Sequence, residues 1–195
     1  MDVQLRELAE RQHGVTARRQ ARALGSDRHH LRRRVESPDR EALTPAVLRL
    51  VGSQRTFRQR CMAATVDVGV GAAVSHESAA ALWRLPGFPP GPLHVTRAAG
   101  RSRLATVHRT DVADHHVLRF EHIPVTSPVR TIFDLAGVLH PGRTERALDN
   151  ALARGLTTIE GLQRVTDDLA RQGRSGSSLM RRLLADRVAR YVPPE

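Results

Sequence analysis

An α+β fold is what this 195-residue chain predicts. The N-terminal sixty residues read as short helices broken by a glycine-bearing turn. Strand-like pieces cluster in the middle of the chain, and the C-terminal third repeats its apolar residues at helical spacing.

In Val3–Gln12, Leu5, Leu8 and Ala9 fall on one helical face, and His13-Gly14 stops the helix. Thr16 is expected to cap a short helix from Ala17 to Ala23, ending at Leu24-Gly25. Ser26 then caps a third, from Asp27 to about Glu36, with Leu31 and Val35 four apart, and Pro38 closes it. Arg40–Leu43 and Ala46–Leu50 flank Thr44-Pro45 as a two-stranded wing that ends at Gly52. Helix, short helix, tight turn, helix and wing make a winged helix-turn-helix, assigned to residues 1–54.

Residues 55–195 form a second domain. Thr56 caps a helix with Phe57, Cys61, Ala64 and Val68 in register, and Gly69-Val70-Gly71 breaks it. Ala73–Pro86 reads as a short strand running into an alanine-rich helix. Strand-like pieces come next at Leu93–Thr96, Ala105–Arg109, Val117–Phe120 and His122–Val125. Helices then occupy Pro128–Val138, Arg143–Arg154, Ile159–Arg171 and Ser178–Arg187.

The 31 basic residues are all arginine, against 20 acidic ones, a formal net charge of +11. Without lysine there is no Walker-type phosphate loop and no Schiff-base chemistry. One cysteine, Cys61, excludes intramolecular disulfides and cysteine-rich zinc modules. Aromatics are 3%, so the core must be built from Leu, Val and Ala. No apolar run approaches the roughly 18 residues of a membrane span. The first residues do not resemble a signal peptide, and a soluble cytoplasmic protein is expected.

Residues 1–60 carry 14 arginines against 7 acidic groups, a net of +7, which leaves +4 for the rest. That asymmetry is the footprint expected of a nucleic-acid-binding module, with double-stranded DNA as its partner, attached to a more neutral body; a solvated arginine-rich surface is the alternative. With Leu31 and Val35 turned to the core, Arg28, His29 and Arg32 are expected at base edges in the major groove. Arg18, Arg19, Arg33, Arg34 and Arg40 are expected at backbone phosphates.

Several stretches resemble the AbiEi antitoxin family, the winged-helix antitoxins of type IV abortive-infection toxin–antitoxin systems, in its actinobacterial form. They are Gly14-Val15-Thr16, Leu24-Gly25-Ser26, Ser75–Trp83, Val107-His108-Arg109, Ile123–Ala136 and Ala147–Leu152, with Ile123–Ala136 the most specific. The resemblance implies an N-terminal domain that represses its own promoter. It also implies a C-terminal domain that counteracts a nucleotidyltransferase-like toxin without a stable complex. The chain departs from the family at Ala46 and Leu48, where a glycine and an aromatic are usual, and at His122, where glycine is usual. Many relatives continue past the position of Val192–Glu195 into a domain similar to very-short-patch repair endonucleases. A DNA-binding regulatory portion of a truncated endonuclease-like protein is therefore the alternative reading, and an adaptor working through the C-terminal helices is a third.

No catalytic residue, cofactor or metal site is expected. Ser75-His76-Glu77 invites a nucleophile–base–acid reading, but consecutive side chains point different ways, and Ser75 is better read as a helix cap. His115, His116 and His122, with Asp111 and Asp114, lie in a segment read as a surface loop rather than a converging ligand set. Arg130 and Asp134, four apart on a helix, have the spacing of an ion pair.

Overall fold

The computed structural model describes residues 2–25, 38–171 and 173–190. They form an α+β structure of two compact units. The first comprises Met1–Val74, Pro92–Ala113 and Val117–Val125, and the second Ser75–Gly91, Asp114–His116 and Thr126–Glu195.

The first unit begins with α1 (Asp2–Arg11), β1 (Val15–Ala17) and α2 (Arg18–Ala23). Thr16 is not a cap. It lies in β1, and the residue before α2 is Ala17, whose N–H donates to Gln20 Oε1 at 2.8 Å. Gln20 and Gln12 then exchange side-chain amide hydrogen bonds of 2.7 and 3.2 Å. Leu5 and Ala21 are buried together, with Leu8 and Leu24 packed against them.

The strands expected in the wing are β2 (Arg40–Ala42) and β3 (Val47–Leu50). They pair antiparallel, with Glu41 opposite Arg49. β3 also pairs with β1, Thr16 opposite Leu48, so the sheet has three strands in the order β1-β3-β2. Arg49 is buried and donates Nε and Nη2 to Glu41 and Nη1 to the Ser53 carbonyl. Gly14 closes the turn before β1 at φ +84°. A Cβ there would meet Ser53 Cβ at 2.6 Å, so this close approach requires glycine.

α3 (Phe57–Val68) starts as expected, with Thr56 Oγ1 accepting the Gln59 N–H at 3.1 Å. A second sheet comes after it, in the order β6-β5-β4-β8-β7, built from β4 (Ala73–Val74), β5 (His94–Arg97), β6 (Thr106–Arg109), β7 (Val117–Phe120) and β8 (Ile123–Thr126). β4 runs antiparallel to β5 and parallel to β8, and β5 runs parallel to β6. Parallel neighbours usually need a crossover of about a dozen residues or more. Here residues 98–105 suffice, because Asp67 near the end of α3 holds that loop. Asp67 Oδ2 accepts from Ser102 Oγ at 2.7 Å and from the Arg103 N–H at 3.3 Å.

The second unit contains α4 (His76–Leu82), a 3-10 turn at Asp114–His116, α5 (Pro128–Ala136), α6 (Pro141–Ala153), α7 (Ile159–Arg171) and α8 (Ser177–Arg190). α5 packs against each of the other four helices, and of its nine residues only Val129 is not fully buried. Ile132, Phe133 and Leu135 of α5 meet Ala80, Leu148, Leu162, Leu169 and Met180 in one core. Pro128 at the start of α5 and the Ser127 hydroxyl, which accepts the Arg130 N–H, set where this helix begins. Among the described residues, no helix is long and apolar enough to cross a membrane.

Candidate nucleic-acid interface

Five of the expected DNA contacts, Arg28, His29, Arg32, Arg33 and Arg34, lie outside the described residues. The other three are Arg18 and Arg19, which open α2, and Arg40 in β2. The Arg18 main-chain N–H donates to Ala46 O at 2.9 Å, joining α2 to the β2–β3 turn. Its side-chain Nε is buried and makes no hydrogen bond among the described residues. Arg19 points elsewhere: Nη1 donates to the Val66 carbonyl at the end of α3. Burial first, and then the nearby Arg97, lower its pKa. Arg97 itself donates to Val68 O at 2.8 Å, so two guanidiniums bind the negative end of one helix. Arg40 lines a shallow hollow with Val3, Arg6, Asp39 and Leu50.

The β2–β3 turn is anchored. Thr44 Oγ1 accepts the Ala46 and Val47 N–H groups at 3.1 Å each and donates to Asp67 Oδ1 at 2.6 Å. Asp67 therefore ties both this turn and the 98–105 loop to α3. Next to Arg49, the Glu41 carboxyl is held below its usual range, chiefly by the hydrogen bond from that guanidinium.

A cleft of about 380 Å³ opens between α1, α2, the 69–72 loop and the β7–β8 turn. Arg11, Arg19, Arg119 and His122 line it. Both residues of the turn, Glu121 and His122, carry positive φ (47° and 69°), a conformation that costs a non-glycine residue about 1–2 kcal/mol. The turn is fixed from two sides. Arg58 pairs with Glu121 at 3.1 Å, and His13 Nε2 is 2.9 Å from the Glu121 carbonyl. In the sequence Gly69-Val70-Gly71 signals only a helix break, and the three arginines and the histidine come from three separate segments. The unusual His122 is the one local sign of this cleft.

The other candidate sites resolve into structure. Ser75 precedes α4, yet its hydroxyl does not cap the helix. It lies 2.9 Å from His76 Nδ1, with Ser75 wholly buried and His76 at φ 50°. His116, expected on a surface loop, is buried in the 3-10 turn, and burial lowers its pKa to about 4. No cluster of three or more His, Cys, Asp or Glu side chains able to hold a metal occurs among the described residues. Arg130 and Asp134 form the expected ion pair at 2.8 Å, buried inside the second unit with side chains 3% and 7% exposed. Burial raises the Asp134 pKa to about 6. Burial likewise pushes the Cys61 thiol up to about 12, which keeps it protonated and unreactive.

Compared with known proteins, the chain matches no protein-family model and no curated protein.

Proposed function

We propose that this protein is a DNA-binding repressor of its own promoter that also serves as the antitoxin of a type IV toxin–antitoxin system. In this reading it opposes a nucleotidyltransferase toxin in the cytoplasm without binding it stably, and uses no catalytic residue, metal or cofactor. The observation that carries the reading is the three-stranded sheet. The β2–β3 ribbon folds back onto β1, the strand that leads directly into α2. Helix, strand, helix and a returning two-stranded ribbon match the order of a winged helix-turn-helix. In this reading the recognition helix is the one expected from Asp27 to about Glu36, outside the described residues, with Arg28, His29 and Arg32 on it. The net +7 of the first sixty residues supports the same partner.

The test is promoter binding measured by fluorescence anisotropy across a salt series. The wild type binds its own promoter with an affinity that falls steeply with salt. Arg28→Ala/Arg32→Ala loses about 1–3 kcal/mol of preference over unrelated duplex for each base contact removed. Unchanged promoter affinity in that variant overturns the recognition-helix assignment. For the antitoxin half, co-expression relieves the growth arrest caused by a nucleotidyltransferase encoded beside it, and continued arrest overturns that half.

A further inference from the structure

The cleft lined by Arg11, Arg19, Arg119 and His122 is not explained by duplex recognition through residues 26–37 and the wing. It holds three guanidiniums and an imidazole, and no carboxylate lines it among the described residues. The 69–72 loop contributes Val70 and Gly71, whose N–H groups make no hydrogen bond to any described residue. Arginine forks beside unengaged backbone amides are the donors that recognise phosphate oxygens. Met62, Val66 and Pro124 supply an apolar part of the wall, suited to a ring.

Two features show that the cleft is built rather than incidental. Arg119 Nη1 donates to the His122 carbonyl at 3.2 Å, so the turn that carries the imidazole also positions this guanidinium. That turn keeps histidine at φ 69°, where glycine would be relaxed, and His122 is the residue it presents to the cleft. Arg58 and His13 hold the turn in place, so the donors are arranged before any ligand arrives.

We propose that this cleft binds a phosphate ester of mononucleotide size. The volume of about 380 Å³ accommodates one nucleotide. The same donors could meet a backbone phosphate of duplex DNA, so the experiment separates the two sources.

Adenosine monophosphate, inorganic phosphate and an unrelated duplex of about 20 base pairs are each titrated into the full chain by calorimetry. The expected result is that adenosine monophosphate binds and inorganic phosphate competes with it. Arg11→Gln/Arg119→Gln weakens this binding about tenfold or more. Arg101→Gln/Arg182→Gln, which removes two exposed arginines elsewhere, leaves it within about twofold. In the wild-type protein the amide resonances of Val70 and Gly71 shift during the nucleotide titration, a readout that needs no variant. Two results overturn the proposal. One is no nucleotide binding up to about 10 mM together with a duplex affinity that drops in Arg11→Gln/Arg119→Gln, which assigns the cleft to DNA backbone. The other is no nucleotide binding and an unchanged duplex affinity, which leaves the cleft without a phosphate ligand. Neither result bears on the recognition helix, whose own test uses different residues.

Discussion

The Thr44 hydroxyl donates a 2.6 Å hydrogen bond to Asp67, joining the tip of the β2–β3 ribbon to the last turn of α3. The same oxygen accepts two backbone N–H groups within the turn, so it fixes the turn's shape as well as its position. Asp67→Ala removes the acceptor for Thr44, Ser102 and the Arg103 amide together. Its expected destabilisation is about 2–3 kcal/mol, that of losing several hydrogen bonds to one charged group. Thr44→Val removes one of these together with the two bonds that the hydroxyl accepts within the turn, and costs about 1–2 kcal/mol. Urea unfolding checks both, and a loss below about 0.5 kcal/mol in Asp67→Ala would show that neither the ribbon turn nor the 98–105 loop depends on this carboxylate.

Asp134 and His116 act in opposite directions on acid stability. Burial raises the Asp134 value from 3.8 to about 6, so the folded state holds this proton more tightly than the unfolded chain. Its contribution is complete below about 3.8 and is lost as pH rises through about 6. Burial lowers the His116 value from 6.5 to about 4, with His115 and Arg130 adding to the effect and Asp168 opposing it. Its contribution is present above about 6.5 and is lost as pH falls through about 4. Between about 4 and 6 the two partly cancel. His116→Gln should therefore gain stability relative to wild type as pH falls through this window, and Asp134→Asn should lose it. Denaturant midpoints across the window read the two slopes, and parallel profiles for all three proteins would contradict the assignment.

Gly14→Ala tests a close approach between the turn before β1 and the Ser53 side chain. The new Cβ would sit 2.6 Å from Ser53 Cβ and 2.7 Å from its Oγ, at a backbone angle that disfavours any side chain. Ser53 cannot simply swing away, because its Oγ bonds the Leu50 carbonyl and Gln59 Nε2 at 2.6 and 2.8 Å. A loss of about 2 kcal/mol or more is expected, measured as a fall in Tm. A change below about 0.5 kcal/mol would mean that the turn relaxes freely.

The left-handed turn at Glu121-His122 gives a prediction of opposite sign. His122→Gly should raise stability by about 0.5–1 kcal/mol by relieving strain. Thermal unfolding checks it, and a lower Tm would show that the imidazole itself helps to hold the turn.

Helices with strong apolar periodicity are legible in the sequence. α1 and α6 to α8 lie where apolar spacing puts them, and α3 and α5, buried nearly all round, where their Thr56 and Ser127-Pro128 start signals put them. β1 is not legible. Its three residues are all buried and show no alternation, and what makes Val15–Ala17 a strand is the partner β3, about thirty positions away. The Arg130–Asp134 pair can be read from its spacing, but its burial cannot, since that results from α5 lying between four helices. Asp67 looks like an ordinary helix residue, because its partners come from two loops with no local relation to it. The same holds for the three arginines and the histidine of the cleft, gathered from α1, α2 and the β7–β8 hairpin.

The short link between the parallel strands β5 and β6 has a consequence for the order in which the first unit assembles. Residues 98–105 contain no helix that could guide the chain across the sheet, so the crossover depends on a carboxylate presented by α3. That carboxylate is in place only once α3 has formed and docked. β6, at one edge of the sheet, is then expected to pair after α3 has docked and to open without the inner strands. Its amides should exchange with solvent well before those of β4 and β8, through a local opening that leaves the remaining four strands paired.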